Sequence, residues 1–367
     1  MSIIVVGAGI SGATIARLLA EQEKNVEIID KKSHIGGNCY DYYDENGICV
    51  HKYGTHIFHT DDKKVWDFVS RFTKFHPYMH KVLGYIDGQL VPIPFNLNSI
   101  AKLFPDALGK RIECKLVEKF GLNKKIPILE LRNTSDDDLS FLSDYIYEKV
   151  FLHYTMKQWG QKPEDIDPSV TARVPVYVSK DDRYFQNKYQ GIPLNGYTKM
   201  IENMLNHPKI KVSLNTDWNL LKKEHCNDKI YYSGPIDELM DYEYGELPYR
   251  SVSLDFRTYN MKYFQECAVV NYPNNYDFTR IGEYKYFLQD NSCKTVVSFE
   301  YPEQYVRGKN EPYYPIVSDL NSKLYDKYVE NAKKIYPNIV FCGRLGDYKY
   351  YDMDKAIFRC FSLLTKE

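Results

Sequence analysis

Almost no net charge separates the 48 basic from the 49 acidic residues of this 367-residue chain. That balance removes any bulk electrostatic case for nucleic acid or an anionic membrane as partner, so an anionic ligand must be met by local charges. No apolar run is long enough to span a bilayer, and Met1 and Ser2 leave no room for a charged leader. A cytoplasmic protein with no membrane insertion is expected. Cysteines are few and scattered: Cys39, Cys49, Cys114, Cys226, Cys267, Cys293, Cys342 and Cys360 form no CxxC pair and no metal-like spacing with histidine. Free thiols in a reducing compartment, and no metal, follow from that. Tryptophan is scarce, at three, whereas tyrosine reaches 34. Tyrosine supplies apolar area together with a hydroxyl, which suits stacking and phosphate contacts as well as ordinary packing.

What is there begins at once. Ile3 to Val6 is a β-branched run fit for a buried strand, and Gly7, Gly9 and Gly12 follow in GxGxxG spacing. Ile15, Leu18 and Leu19 then recur at helical spacing, so the glycines sit in a strand-to-helix turn where a pyrophosphate can approach backbone amides and the helix dipole. A second strand, Val26 to Ile29, ends at Asp30, whose carboxylate suits ribose hydroxyls. NAD and FAD both fit this unit. FAD is favoured by "KKSHIGGN", which brings Gly36 and Gly37 directly after the acidic strand end for a second close backbone approach. This double glycine resembles the FAD-dependent oxidoreductases that include amine oxidases. The chain also returns late to the same pattern, in "KIYYSGP" (229–235) and in the strand, loop and helix of "NIVFCGRLGDYKYYDMDKAIFRCF" (338–361).

The cofactor domain is therefore expected to be discontinuous, at 1–80, 193–245 and 335–367. Helical patterns and capping candidates at 98–170 predict an inserted helical lobe. Short alternating runs such as "YRSVSLDF" and "KTVVSFEY" predict an antiparallel sheet, which with 81–97, 171–192 and 246–334 makes a substrate-binding region. The fold class is α/β, a Rossmann-like FAD-binding domain carrying these insertions.

Motifs outside the nucleotide fold carry a closer resemblance. "HKYGTHIFHT" (51–60), "YTMKQWG" (154–160), "ARVPV" (172–176), "RYFQNKYQGIPLNGYTKMIE" (183–202), "FTRIGEYKYF" (278–287), "EPYYPI" (311–316) and "GRLGDYKYYDMD" (343–354) resemble, in order and along essentially the whole chain, the bacterial UDP-galactopyranose mutases. The resemblance implies a non-redox isomerase that interconverts UDP-galactopyranose and UDP-galactofuranose for cell-surface polysaccharide synthesis. The active cofactor is then reduced FAD, whose N5 acts as nucleophile on the anomeric carbon rather than as a hydride shuttle. An external reductant such as NAD(P)H is implied, and a homodimer is compatible with the family.

The resemblance also implies residue roles. Arg173 and Arg280 carry the catalytic positive charge for the departing diphosphate, a task that suits the planar arginine fork. Arg173 lies in "EDIDPSVTARVPVYVSKDDRYF" (164–185), expected to act as a mobile lid. Tyr154 stacks on uracil, with Phe151, Thr155, Trp159 and Phe185 nearby. Tyr184, Tyr314 and Tyr350 match hydroxyls that bind the diphosphate, and Asn271 a further polar contact. His80 stands where relatives often carry asparagine near the sugar, which leaves acceptance of a 2-acetamido sugar open. Gly7, Gly9, Ser11, Gly12, Asp30, Lys31, Gly37, Asn38, His56, Ile57, His59, Arg344, Asp352 and Met353 match positions around the cofactor. Two other readings share part of this pattern. A flavin oxidase or dehydrogenase of the amine oxidase type predicts bleaching of FAD by its substrate, and a binding protein predicts UDP affinity without turnover.

Overall fold

The computed structural model describes residues 3–160 and 175–365. Two compact units divide the chain: Met1–Tyr78, Asn187–Ser251 and Gln304–Glu367 form one, and Met79–Gln186 with Val252–Glu303 form the other.

The first unit is built on five parallel strands in the spatial order Ile210–Ser213, Val26–Ile29, Ile3–Val6, Lys229–Tyr232 and Ile339–Phe341. Both faces are covered, which is why these strands read as nearly continuous apolar runs. Val5, Ile28 and Tyr231 point into one core, beneath the helices Ile10–Glu21, Gly196–Leu205 and Met353–Leu364. Their chain neighbours Ile4, Val6, Ile29, Ile230 and Tyr232 point the other way, into a core closed by the helix Asp319–Ile335 through Tyr328 and Ala332. The alternation is the period-two geometry of a strand, and it makes the sheet doubly wound.

The second unit joins a helical part to a sheet. Its helices Asp106–Phe120 and Asp137–Ile146 bury Ile112, Leu116, Leu139 and Leu142 in one cluster. From Tyr147 to Leu152 the chain widens into a π-helical turn before the helix His153–Trp159, which Gly160 ends in a left-handed conformation. The sheet runs in the order Tyr249–Tyr259, Thr295–Gln304, Arg280–Glu283, Val269–Asn271, Val82–Ile86 and Gln89–Ile93.

Three details differ from the sequence expectation. The helical and sheet parts form one unit instead of two, because Val176 and Tyr177 pair with Ile126 and Lys125 and the strand Val176–Tyr177 sits in the helical core. The sheet is antiparallel except where Val269, Val270 and Asn271 run parallel to Val82, Leu83 and Gly84. Residues 304–334 belong to the first unit, since Tyr328 and Ala332 of the long helix pack onto its sheet.

Candidate functional site

In the first unit, a cleft opens at the carboxyl ends of the parallel strands. Gly7, Gly9, Ser11, Gly12, Asp30, Lys31, Gly37, Asn38, His56, Arg344, Asp352 and Met353 all line it. Of the expected cofactor positions, Ile57 and His59 are not among its lining residues; His59 instead pairs through Nδ1 with Asn187 Oδ1 at 2.9 Å.

Close backbone approach shapes the cleft floor. A Cβ on Gly12 would lie 1.9 Å from the Gly7 carbonyl oxygen, so only glycine lets the helix Ile10–Glu21 start so near the first strand. The double-glycine turn meets the first glycine turn directly, with Gly36 N donating to Ala8 O at 2.8 Å. Asp30 ties the same turns together, accepting from Ala8 N at 2.7 Å and Lys32 N at 2.8 Å, and still borders the cleft. Lys31 turns its ammonium to Glu238 at 3.1 Å.

Two helix N-termini border the cleft. Gly9 to Gly12 open one helix, and Asp352, Met353 and Ala356 lie at the start of the other. Such ends present amides and a positive dipole, which favours pyrophosphate and other electron-rich groups. The protein around His56 desolvates its imidazole and holds it well below its usual range, at about 3, so the ring is neutral. Its Nδ1 donates to Gly54 O at 2.7 Å, which makes Nε2 an acceptor. Cys39 is equally inert: burial pushes its thiol up to about 12, and Sγ contacts Met353 Sδ at 3.6 Å.

Arg344 links the cleft to two further predicted residues. Its guanidinium lies 5.1 Å from the Tyr314 ring centre and 4.9 Å from that of Tyr350, and those two rings stack at 5.4 Å.

Sequence reasoning missed part of the cleft. Thr216, Asp217, Trp218, Asn219, Glu238 and Tyr313 also line it. Trp218 Nε1 and Asn219 Oδ1 are buried with no hydrogen-bond partner among the described residues, the condition expected of groups that meet a ligand. The available signal was a rare tryptophan just beyond a strand that pairs with Val26–Ile29.

The cleft lining therefore fits a dinucleotide: glycine turns suited to a pyrophosphate, an acid suited to a ribose, and orphaned polar atoms beside them.

In the second unit the predicted residues gather on one sheet row and the elements beside it. Asn271 pairs in register with Arg280, and Arg280 with Glu300. Cross-strand neighbours share a face, so this row presents amide, guanidinium and carboxylate together. Arg280 Nε donates to the buried Glu300 Oε2 at 2.7 Å, which fixes the plane of the fork. Buried His80 stacks on Phe185 at 6.0 Å and meets Tyr184 edge-on at 5.7 Å; Tyr184 N donates to its carbonyl at 2.7 Å. Tyr154 and Thr155 ride on the helix His153–Trp159, and Phe151 packs into the helical core behind the π-helical turn. Arg173, residues 164–174 of the expected lid, and the side chain of Trp159 lie outside the described residues.

Among the described residues, Asp41, Cys49 and His51 are grouped closely enough to hold a metal. Both Asp41 oxygens, however, accept backbone N–H groups, from Tyr197 at 2.5 Å and Thr198 at 2.9 Å. The carboxylate thus closes the start of the helix Gly196–Leu205. No helix among the described residues is long and apolar enough to cross a membrane.

Comparison with known proteins decides the family. The UDP-galactopyranose mutase family model matches residues 149–350, and an NAD(P)-binding Rossmann-like domain matches residues 5–72. The chain belongs to the UDP-galactopyranose mutase family. Its cofactor is FAD, and its activity is that of an isomerase. The chain is 38% identical to the dTDP-fucopyranose mutase of Escherichia coli, over 99% of this chain and 98% of that protein. It is 36% identical to the UDP-galactopyranose mutase of Mycoplasma pneumoniae, over 96% and 93%. A crystal structure of reduced UDP-galactopyranose mutase shares the fold with a TM-score of 0.73 at 15% identity, covering 100% of this chain and 94% of that one.

Proposed function

We propose that this mutase-family chain interconverts UDP-galactopyranose and UDP-galactofuranose with no net oxidation. The observation that carries the reading is the Asn271, Arg280 and Glu300 row, which holds an arginine fork ready for a diphosphate. Bound in the cleft and reduced, FAD would supply nucleophilic chemistry toward the anomeric carbon.

The chain's own residues do the rest. The glycine turns and the two helix N-termini hold the cofactor pyrophosphate and its electron-rich ring. Arg280, with Arg173, neutralises the charge that grows on the leaving diphosphate, and Tyr184 donates a hydroxyl hydrogen bond to it. Tyr154 stacks on the nucleobase. Glu300 keeps Arg280 oriented, so little reorganisation is needed when the bond breaks. Reduction by a donor such as NAD(P)H, a cytoplasmic location and a homodimer complete the proposal.

A second substrate reading has its own support, because one relative of nearly full length is a dTDP-fucopyranose mutase. Fucose lacks the 6-hydroxyl of galactose, and His80 sits among aromatic rings where an apolar group is welcome. An anaerobic assay of the dithionite-reduced holoenzyme with each furanose nucleotide, with oxidised enzyme as control, separates the two. Turnover of UDP-galactofuranose with the larger kcat/KM supports the reading proposed. A preference for dTDP-fucofuranose moves the substrate and keeps the chemistry, whereas no conversion of either overturns both.

A further inference from the structure

Lys157 lies within "YTMKQWG", on the helix His153–Trp159 and three residues after Tyr154. Its ammonium donates to the carbonyl oxygens of Tyr272 at 2.6 Å, Asn274 at 3.3 Å, Tyr276 at 3.0 Å and Phe278 at 3.2 Å. All four belong to the loop that joins Asn271 to Arg280, the pair that sit opposite each other on adjacent strands. An ammonium has three protons, so these oxygens share them. Carbonyl dipoles aimed at one point repel unless a cation sits there, which is how carbonyl rings bind potassium. A second tie runs beside the first: Asn274 Nδ2 donates to the Lys149 carbonyl, on the π-helical turn that precedes the same helix. Burial draws the Lys157 ammonium down to about 8, with Asp277 acting the other way, so it is charged at neutral pH.

We infer that Lys157 is a positioning residue, a tethered cation around which the Asn271 to Arg280 loop folds and which fixes that loop to the helix carrying Tyr154. The inference rests on the function proposed above for its kinetic consequence, and on geometry alone for its structural one. Tyr154 is proposed for the nucleobase and Arg280 for the diphosphate of one ligand. Their spacing then depends on Lys157, although Lys157 itself touches neither the ligand nor the cofactor in this account. Loss of the cation weakens binding of the nucleotide more than it slows the bond-breaking step, because Glu300 still orients Arg280.

The test is Lys157→Met in the FAD-loaded enzyme, read in two ways. Hydrogen–deuterium exchange of the oxidised protein should show faster exchange across 272–278. Steady-state kinetics of the reduced protein should show KM for the sugar nucleotide raised by about tenfold or more, the scale of a charge-assisted hydrogen-bond set, with kcat changed by no more than about threefold. Ammonium or potassium at about 0.1 M, a concentration that also requires a salt-matched control, should restore both; tetramethylammonium, which has no N–H and is too large for the loop, should restore neither. Unchanged exchange and KM in Lys157→Met would overturn the inference, as would kcat and KM failing together with no response to ammonium. If Lys157→Met does not fold, Lys157→Gln, which keeps an N–H donor without the charge, takes the same two readouts. If wild-type enzyme turns over neither sugar nucleotide, the functional proposal fails while the exchange experiment still decides Lys157.

Discussion

In the first unit the groups that define the cleft are largely backbone, namely glycine turns, helix amides and strand ends. In the second the candidate groups are side chains set in register across strands, with Arg280 between Asn271 and Glu300. The contrast teaches how each kind of site tolerates change. A backbone site fails when the chain cannot approach itself, and it takes the fold with it. A side-chain site can lose its chemistry while the fold stays intact. Gly12→Ala tests the first half and is expected to have the largest effect. The added Cβ would sit 1.9 Å from the Gly7 carbonyl, in backbone that cannot swing aside. Alanine's better helix propensity, worth up to about 1 kcal/mol, is outweighed by overpacking of about 1–3 kcal/mol or more. Purified Gly12→Ala should lose FAD, read from the flavin-to-protein absorbance ratio, and melt at lower temperature. Retention of full flavin would show that the turn has room the structure does not display.

Arg280→Ala probes the other half. FAD content should stay near wild type and the fold should persist with a melting temperature lowered by the unpaired Glu300, while kcat/KM falls by about 10²–10³, the usual scale for removing a donor aimed at developing negative charge. Glu300→Gln should fall between, because the amide oxygen can still accept from Arg280 Nε but no longer balances its charge. If Arg280→Ala instead unfolds the protein, the ion pair holds the sheet together and the contrast between the units collapses.

The same contrast explains what could be read from the chain alone. The GxGxxG turn, the acidic strand end and the double glycine are local, and backbone demands leave glycine in the sequence wherever they occur. Asn271 and Glu300 are 29 positions apart and come to flank Arg280 only through strand register, so no spacing rule reveals them. Motif resemblance brought out Arg280 but not its partner Glu300. Lys157 stayed silent because its partners are carbonyls, which carry no residue identity. The helix Asp319–Ile335 was assigned to the sheet region because its buried stripe relies on Tyr328 and Ala332 among many charges, a weak helical signal. The π-helical turn at Tyr147–Leu152 has no sequence signature of its own.

Trp218→Phe sharpens the comparison at its finest grain, since it asks whether a side chain contributes to the backbone-built cleft. The change removes the indole N–H together with three ring atoms, so a cavity cost falls on apoprotein and holoprotein alike. Trp218 is 4% exposed and its Nε1 has no partner among the described residues, a cost of about 1–3 kcal/mol if it stayed so in the holoenzyme. A hydrogen bond to the cofactor would remove that cost. FAD affinity measured by titrating apoprotein should therefore fall by about fivefold, a loss of about 1 kcal/mol, so that the holoprotein loses more stability than the cavity alone costs the apoprotein. Equal destabilisation of apoprotein and holoprotein would mean that Trp218 is packing alone, and that the cleft owes its affinity to backbone throughout.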